Sequence, residues 1–344
     1  MKRLAILGAG IAGLGAAWAL RNADIEIDLF EKSRGLGGRA ATRGREDIRY
    51  DHGANYFSLE PEAVRHLVFN ALSAEDLVQI TRPVIPFGVP DTPGPPQPTT
   101  PPARWNYRHG ISQLAKLISA ASNARILNQT RIERLVRQDG WILIAEKEQP
   151  YGPYDGVLLA APAPQSAVIL ESSEMDTSLR YRLAKALRQS RYESQLSFVL
   201  GFDEAPALDG EWYARVNMDR QQPLVWAAIE NAKEGHVPAG KCVILAQMAP
   251  SWSARRYLES FDDLLPEVLS HLRALVPSLP DPAWHDGQRW RFARAVTPAN
   301  AAELRAGAAH GLYFAGDALA EKSRVELALM SGLEAANRIA EQLG

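Results

Sequence analysis

The chain has 344 residues, 46% of them apolar and 23% charged. That balance excludes a disordered, collagen-like or fibrous protein and leaves room for two domains with a cleft between them. With 38 basic and 40 acidic residues the net charge is −2, so no long-range field draws in a nucleic acid backbone, and DNA and RNA are discounted as partners. The single cysteine, Cys242, excludes an internal disulfide and a cysteine cluster for zinc or iron and sulfur, and fits a reducing, cytoplasmic setting.

In chain order, Lys2 to Leu7 reads as a buried strand, followed by a glycine-rich turn and a helix from about Ile11 to Arg21. Lys2 and Arg3 ahead of the apolar run Leu4 to Leu20 imitate a signal peptide or anchor. Gly8, Gly10, Gly13 and Gly15 interrupt that run, however, and it falls short of the roughly 20 residues a span needs, so no membrane is expected as a partner. Ile25 to Phe30 is a second strand, and strand, turn, helix, strand in this order is the βαβ unit of a parallel sheet. From Pro83 to Pro102 the chain carries nine prolines, too many for helix or central strand. They predict an irregular excursion, either a lid or a disordered surface loop. An amphipathic helix follows over Gly110 to Ala121, then short strands at Ala124 to Leu127, Gln129 to Arg137 and Trp141 to Glu146, and a buried one at Tyr154 to Ala161. Between Ser166 and about Pro280, a helix near Leu179 to Leu187 and strands at Gln195 to Phe202, Trp212 to Val216, Leu224 to Ile229 and Cys242 to Met248 suit an α+β lobe with a mostly antiparallel sheet. A strand at Leu312 to Ala315 and a helix at Val325 to Gln342 close the chain, and no internal repeat is visible.

Gly8, Gly10 and Gly13 form G-x-G-x-x-G directly after a strand and at the opening of a helix, the context a dinucleotide fingerprint requires. The first glycine permits the tight turn, the second lets a pyrophosphate approach the backbone, and the third lets helix and strand pack closely. Ala12 shares the turn, Ala17 keeps the packing face small, and the helix N-terminus offers free amides to the pyrophosphate. Glu31, 23 positions after Gly8, ends the second strand where a carboxylate can accept from both ribose hydroxyls; an arginine there would have suggested a 2′-phosphate. NAD and FAD both satisfy this fingerprint.

The segment Lys32-Ser33-Arg34-Gly35-Leu36-Gly37-Gly38-Arg39-Ala40-Ala41-Thr42 resembles the double-glycine stretch of the flavin amine oxidase superfamily. The resemblance implies FAD: Lys32 and Gly38 at the pyrophosphate wrap, and Arg39 beside the cofactor. Asp51-His52-Gly53-Ala54-Asn55-Tyr56-Phe57 is similar to the family's segment that passes the flavin ring, which implies cofactor contacts at Asn55, Tyr56 and Phe57. Leu312-Tyr313-Phe314-Ala315-Gly316-Asp317-Ala318 resembles the strand and turn whose Gly316 and Asp317 hold the ribityl chain and pyrophosphate. Arg324-Val325-Glu326 leads into Leu327-Ala328-Leu329-Met330-Ser331-Gly332, similar to the helix whose N-terminus, at Val325 and Glu326, faces the flavin pyrimidine and stabilises negative charge there. Leu327 stands where the family has a glycine near the ring. More narrowly, Arg131-Ile132-Glu133-Arg134-Leu135 with Trp141, Asp155 to Gln165, Tyr107 to Leu114 and Gln288-Arg289-Trp290-Arg291-Phe292 are similar to the renalase branch and its bacterial members, with Ile132 at the cofactor.

Cys242 could attach a flavin covalently, but it lies inside the apolar run Cys242-Val243-Ile244-Leu245-Ala246 and reads as core, so FAD is expected to be noncovalent. His52, His66, His109, His236, His271, His285 and His310 show no metal-ligand spacing, and no metal site is expected. His52 and His109 fall in segments that the resemblance sets near the flavin. Trp226, Trp252 and Trp290 are candidates for an apolar wall over the ring; Trp290 and His52 are the candidate catalytic-face contacts.

The expected fold is α/β. A doubly wound, Rossmann-like FAD-binding domain comprises 1–65, 104–166 and 288–344, and an α+β substrate domain with a mostly antiparallel sheet comprises 66–103 and 167–287. The resemblance implies hydride transfer from a small-molecule substrate to flavin N5 and reoxidation by oxygen to hydrogen peroxide. Within the renalase branch it implies an isomeric dihydronicotinamide dinucleotide bearing its hydride at ring position 2 or 6, which needs no general base. An amine oxidase, a flavin-bearing sensor module and an NAD-linked dehydrogenase are the alternatives. Oligomeric state is open.

Overall fold

The computed structural model describes residues 1–88, 102–219 and 221–344. A five-stranded parallel sheet has the order Leu312–Phe314, Gly156–Leu159, Lys2–Leu7, Ile25–Phe30 and Arg125–Leu127. Its central strand is buried on both faces, as parallel strands require. Leu4 and Ile6 point into one core, with helices Ile11–Ala19, Ser112–Ala120 and Val325–Leu343, while Ala5 and Leu7 point into the other. Alternation of side chains along a strand divides them in this way. The second core is closed by a three-stranded antiparallel sheet (Ile132–Arg137, Trp141–Ala145, Pro150–Tyr154) and by helices Ala163–Glu171 and Thr177–Arg188.

Small residues set the distance between the first and last helices. A Cβ on Gly332 would lie 2.1 Å from the Ala12 carbonyl oxygen, and one on Gly15 would lie 2.5 Å from Leu329 Cδ1. The nucleotide fingerprint and the C-terminal helix therefore pack backbone against backbone.

A six-stranded sheet forms the second lobe, in the order Trp284–Ala295, Tyr192–Phe202, Cys242–Met248, Leu224–Ile229, Ala214–Asn217 and Val84–Phe87; all its pairs are antiparallel except the last. Leu196, Phe198 and Leu200 face helix Phe261–Leu275, which is capped by Ser260 accepting from Asp263 N at 3.1 Å. Val199, Val243 and Leu245 face the other way, onto Tyr213 and the hairpin Thr42–Arg45/Ile48–Asp51. Among the described residues no helix is long and apolar enough to cross a membrane.

The α/β class and both kinds of sheet are as the sequence predicts. Trp284–Ala295 is not: this 12-residue edge strand pairs with Tyr192–Phe202, so the expected domain boundary at 288 falls inside a strand of the second sheet. Within the proline-rich stretch, Val84–Phe87 is also a strand, at the sheet edge where Pro86 is tolerated. Residues 89–101, on which the choice between lid and loop turns, lie outside the described residues.

Candidate active site

A cleft of about 1430 Å³ opens at the C-terminal ends of the parallel strands and runs beneath the edge of the antiparallel sheet. Pockets for one ligand usually measure roughly 300–1,000 Å³, so this one has room for a dinucleotide and a second molecule.

One end is built by the glycine turn. Gly8 has φ +114° and donates to Phe30 O at 2.8 Å, and a Cβ on Gly13 would lie 2.1 Å from Gly8 O, so Gly13 packs the helix onto the turn rather than lining the cleft. Gly10 behaves differently: a Cβ there would meet nothing within 4 Å. It borders open space at the start of helix Ile11–Ala19, whose first amides have no side-chain cap. Gly38, at φ +60°, lies beside it, with its notional Cβ 3.4 Å from Gly10 Cα. Glu31 accepts from Ala9 N at 3.0 Å and Ser33 N at 2.8 Å, and it lines the cleft with Gly8, Ala12, Lys32 and Ile132.

In the middle, Arg39 forms a bidentate pair with Asp317, both bonds 2.7 Å. The Tyr192 hydroxyl (2.7 Å) and the Ser323 hydroxyl (2.6 Å) donate to the same carboxylate. Burial opposes the Asp317 charge, but the hydrogen bonds and charge of Arg39, with Ser323 and Tyr192, outweigh it and hold its pKa below the ordinary carboxylate value. A carboxylate has about four acceptor positions, and these four donor contacts fill them. Asp317 lines the cleft, and there its carboxylate orients Arg39. Arg39 also donates to the carbonyls of Phe292 and Ala293 (3.3 and 3.2 Å), which ties the edge strand across the cleft. Gly316, at φ +128°, lines the cleft with only Ala160 O, at 4.0 Å, near its notional Cβ. Val325 and Glu326 begin the last helix at the same wall, and Glu326 accepts from Ser58 N at 3.3 Å. Leu327 is not in the lining; Ala328 is.

At the far end Asn55, Tyr56, Trp226, Gln247 and Trp290 line the wall. His52 does not. It is buried behind Trp290, stacked on the indole at 5.4 Å with 9° between planes, and its carbonyl accepts from Trp290 Nε1 at 2.9 Å. Burial, aided by the Arg43 charge, depresses the His52 pKa to about 4, so the imidazole is neutral at pH 7 and supports Trp290 as a flat plate. The Asn55 amide donates to Gly53 O at 3.2 Å, which leaves Oδ1 as its free acceptor.

Other expectations are corrected by packing. Phe57 is 1% exposed and stacks on Tyr107 in the first core. Trp252 belongs to the second lobe's core and donates to Glu267 at 2.7 Å. His109 is half-exposed beside Asp76. Cys242, by contrast, is where the sequence predicts, buried in that lobe's core, with its thiol pKa pushed up to about 11 by burial. Sequence reasoning missed Tyr192, Ser323 and Gln247; an isolated tyrosine, serine or glutamine carries no pattern that marks it.

Two family comparisons match this layout. An NAD(P)-binding Rossmann-like domain matches residues 6–71, and flavin containing amine oxidoreductase matches residues 92–340, more than half the chain. Protoporphyrinogen oxidase 2 of Arabidopsis thaliana is 36% identical over 62 residues, 18% of this chain and 12% of its own. Carotenoid 3,4-desaturase of Haloarcula japonica is 30% identical over 77 residues, 22% of this chain and 16% of its own. The chain thus matches only a small part of these relatives. Over the whole fold it is similar to a structure from Exiguobacterium sp. 255-15 described as a protoporphyrinogen oxidase (TM-score 0.79, 17% identity, 99% of each chain). It is also similar to putrescine oxidase bound to putrescine (TM-score 0.75, 14% identity, 99% of each chain). At such identities the likeness concerns the fold alone. The open cradle at Gly10, Gly38 and Gly316, with Glu31 at one end and aromatic walls at the other, fits a flavin dinucleotide.

Proposed function

The chain belongs to the flavin containing amine oxidoreductase family, and from that premise we propose that it holds one FAD noncovalently and oxidises a neutral donor, an isomeric dihydronicotinamide dinucleotide, as in the renalase branch. Bound FAD would supply the hydride acceptor at N5 and pass the electrons on to oxygen. The chain's own residues bind and orient. Backbone amides at the start of helix Ile11–Ala19 and the Gly37–Gly38 turn hold the pyrophosphate, Glu31 the adenosine ribose, and Arg39 the negative charge between them. The N-terminus of helix Val325–Leu343, which opens on the same wall, would lend its dipole to stabilising negative charge on a bound flavin. Trp290, backed by His52, keeps the reacting partner flat against the ring and excludes water.

One observation carries this choice of donor. Of the sheet residues lining the ring end, Gln195, Trp226, Gln247, Gln288 and Trp290 are uncharged, Arg289 and Arg291 carry only positive charge, and the nearby Glu193 is paired with Arg294 at 2.6 Å. Among the described residues, that wall offers no base to deprotonate an amine and no free carboxylate to hold a cation. A dihydropyridine already carries its hydride on an activated carbon and needs neither. The cleft volume also accommodates a second dinucleotide. Anaerobic mixing of the FAD-loaded protein with the 2- and 6-dihydro isomers is expected to bleach the flavin within the mixing time. A flavin that stays oxidised with them, but is reduced by a primary amine or polyamine, assigns the amine oxidase activity instead. Protein unable to take up FAD refutes both.

A further inference from the structure

Behind the cleft wall lies a cluster that the reaction above does not use. Asp51, Glu230, Lys233 and His236 have side chains that are wholly buried. The Lys233 ammonium sits 2.8 Å from Asp51 Oδ2 and 2.8 Å from Glu230 Oε1, and His236 Nδ1 is 2.9 Å from Glu230 Oε2. His236 Nε2 faces the Tyr107 carbonyl at 3.1 Å. A carbonyl only accepts, so Nε2 bears the hydrogen toward it, and Nδ1 faces the Glu230 carboxylate. Two buried carboxylates thereby share one ammonium, with the imidazole on the far side of Glu230. Asp51, Glu230 and His236 each present a ligand atom within 4.8 Å of the others, a donor set of the kind that holds a divalent metal. Lys233 stands in the cation's place.

The cluster is wired to the wall. Asp51 adjoins His52 in the chain, and the Asn106 side chain donates both to Asp51 Oδ2 (2.7 Å) and to the Asn55 carbonyl (2.9 Å). Thr42 Oγ1 and Ile111 N saturate the other Asp51 oxygen at 2.6 and 3.0 Å. Lys233 and Glu230 come from the second lobe, just after strand Leu224–Ile229. We propose that Lys233 is a positioning residue, a built-in cation in a metal-like site that fixes the segment from His52 to Asn55, and with it the His52–Trp290 stack, across the two lobes.

The kcat and flavin-dichroism arms of the test rest on the function proposed above; the near-UV arm does not. In FAD-loaded Lys233→Ala, FAD stoichiometry is expected to hold while the visible circular dichroism of the flavin changes and kcat falls at least tenfold. Ethylammonium or zinc ion, added alone, is expected to restore both, because either refills the emptied cation position. Parental dichroism and kcat in the variant overturn the proposal, as does a change that neither cation reverses. Should Lys233→Ala not fold, Glu230→Gln keeps the Asp51–Lys233 pair and is expected to shift the same signals less; parental values there also overturn it. If the parent protein binds no FAD, the function proposed above fails separately, and the near-UV dichroism of Trp290, identified by its loss in Trp290→Phe, replaces the flavin signal.

Discussion

Arg39 and Asp317 are 278 positions apart and meet in the middle of the cleft, so each is informative only through the other. Arg39→Lys keeps the charge but loses the planar fork that Asp317 grips. Hydrogen bonds to charged groups contribute about 1.5–3 kcal/mol, so FAD affinity, read by fluorescence titration, is expected to fall about 10-fold or more while the fold survives. His52 gives a pH signature. Its folded pKa is about 4 against the ordinary histidine value of 6.5, so between those values the unfolded chain binds more protons than the folded one. Its stabilising contribution is therefore fully present above pH 6.5 and is lost as pH falls toward 4, on the order of 3 kcal/mol in all. Thermal melts from pH 7 to 4.5 should show that slope, and His52→Phe should flatten it. The resemblance placed His52 near the cofactor; only the packing shows that it backs a tryptophan instead.

At the scale of elements, the glycine turn separates binding from folding. A side chain at Gly10 enters open space and would fill the cradle, whereas one at Gly13 collides with Gly8 O at 2.1 Å. Gly10→Val is expected to melt close to the parent but to be isolated colourless. Gly13→Ala is expected to destabilise the fold itself, by about 1–3 kcal/mol for overpacking, whether or not FAD is added. Strand Lys2–Leu7 and strand Ile25–Phe30 were legible to the residue: Leu4 to Leu7 is an unbroken apolar run, as a strand buried on both faces requires, and Ile25-Glu26-Ile27-Asp28-Leu29 alternates apolar with acidic residues at the strand period. Trp284–Ala295 was not. Its residues are half-buried or exposed along its whole length because one edge faces the cleft, and its apolar residues are too few to announce a strand. Helix Phe261–Leu275 was missed for another reason: Pro266 lies inside it and reads as a breaker.

At the scale of the molecule, the cleft takes its lining from both sheets, so a ligand in it couples the two lobes. FAD at 100 times its dissociation constant is expected to stabilise the native state by about 2.7 kcal/mol, raising one cooperative transition in calorimetry rather than only the first of two. The sequence alone determined the nucleotide-binding unit, the α/β class and the likeness to flavin enzymes, because those rest on short-range spacing that sterics enforce locally: glycines where backbone must approach, an acid at a strand end, apolar runs where a sheet is covered on both faces. Tertiary structure alone decided that Asp317 serves Arg39, that Phe57 and Trp252 are core, that the edge strand is strapped across the cleft, and that Lys233 balances two buried acids. Each of these is a contact between residues far apart in the chain. Its energy depends on burial and on the partner's position, and neither is written in the local pattern.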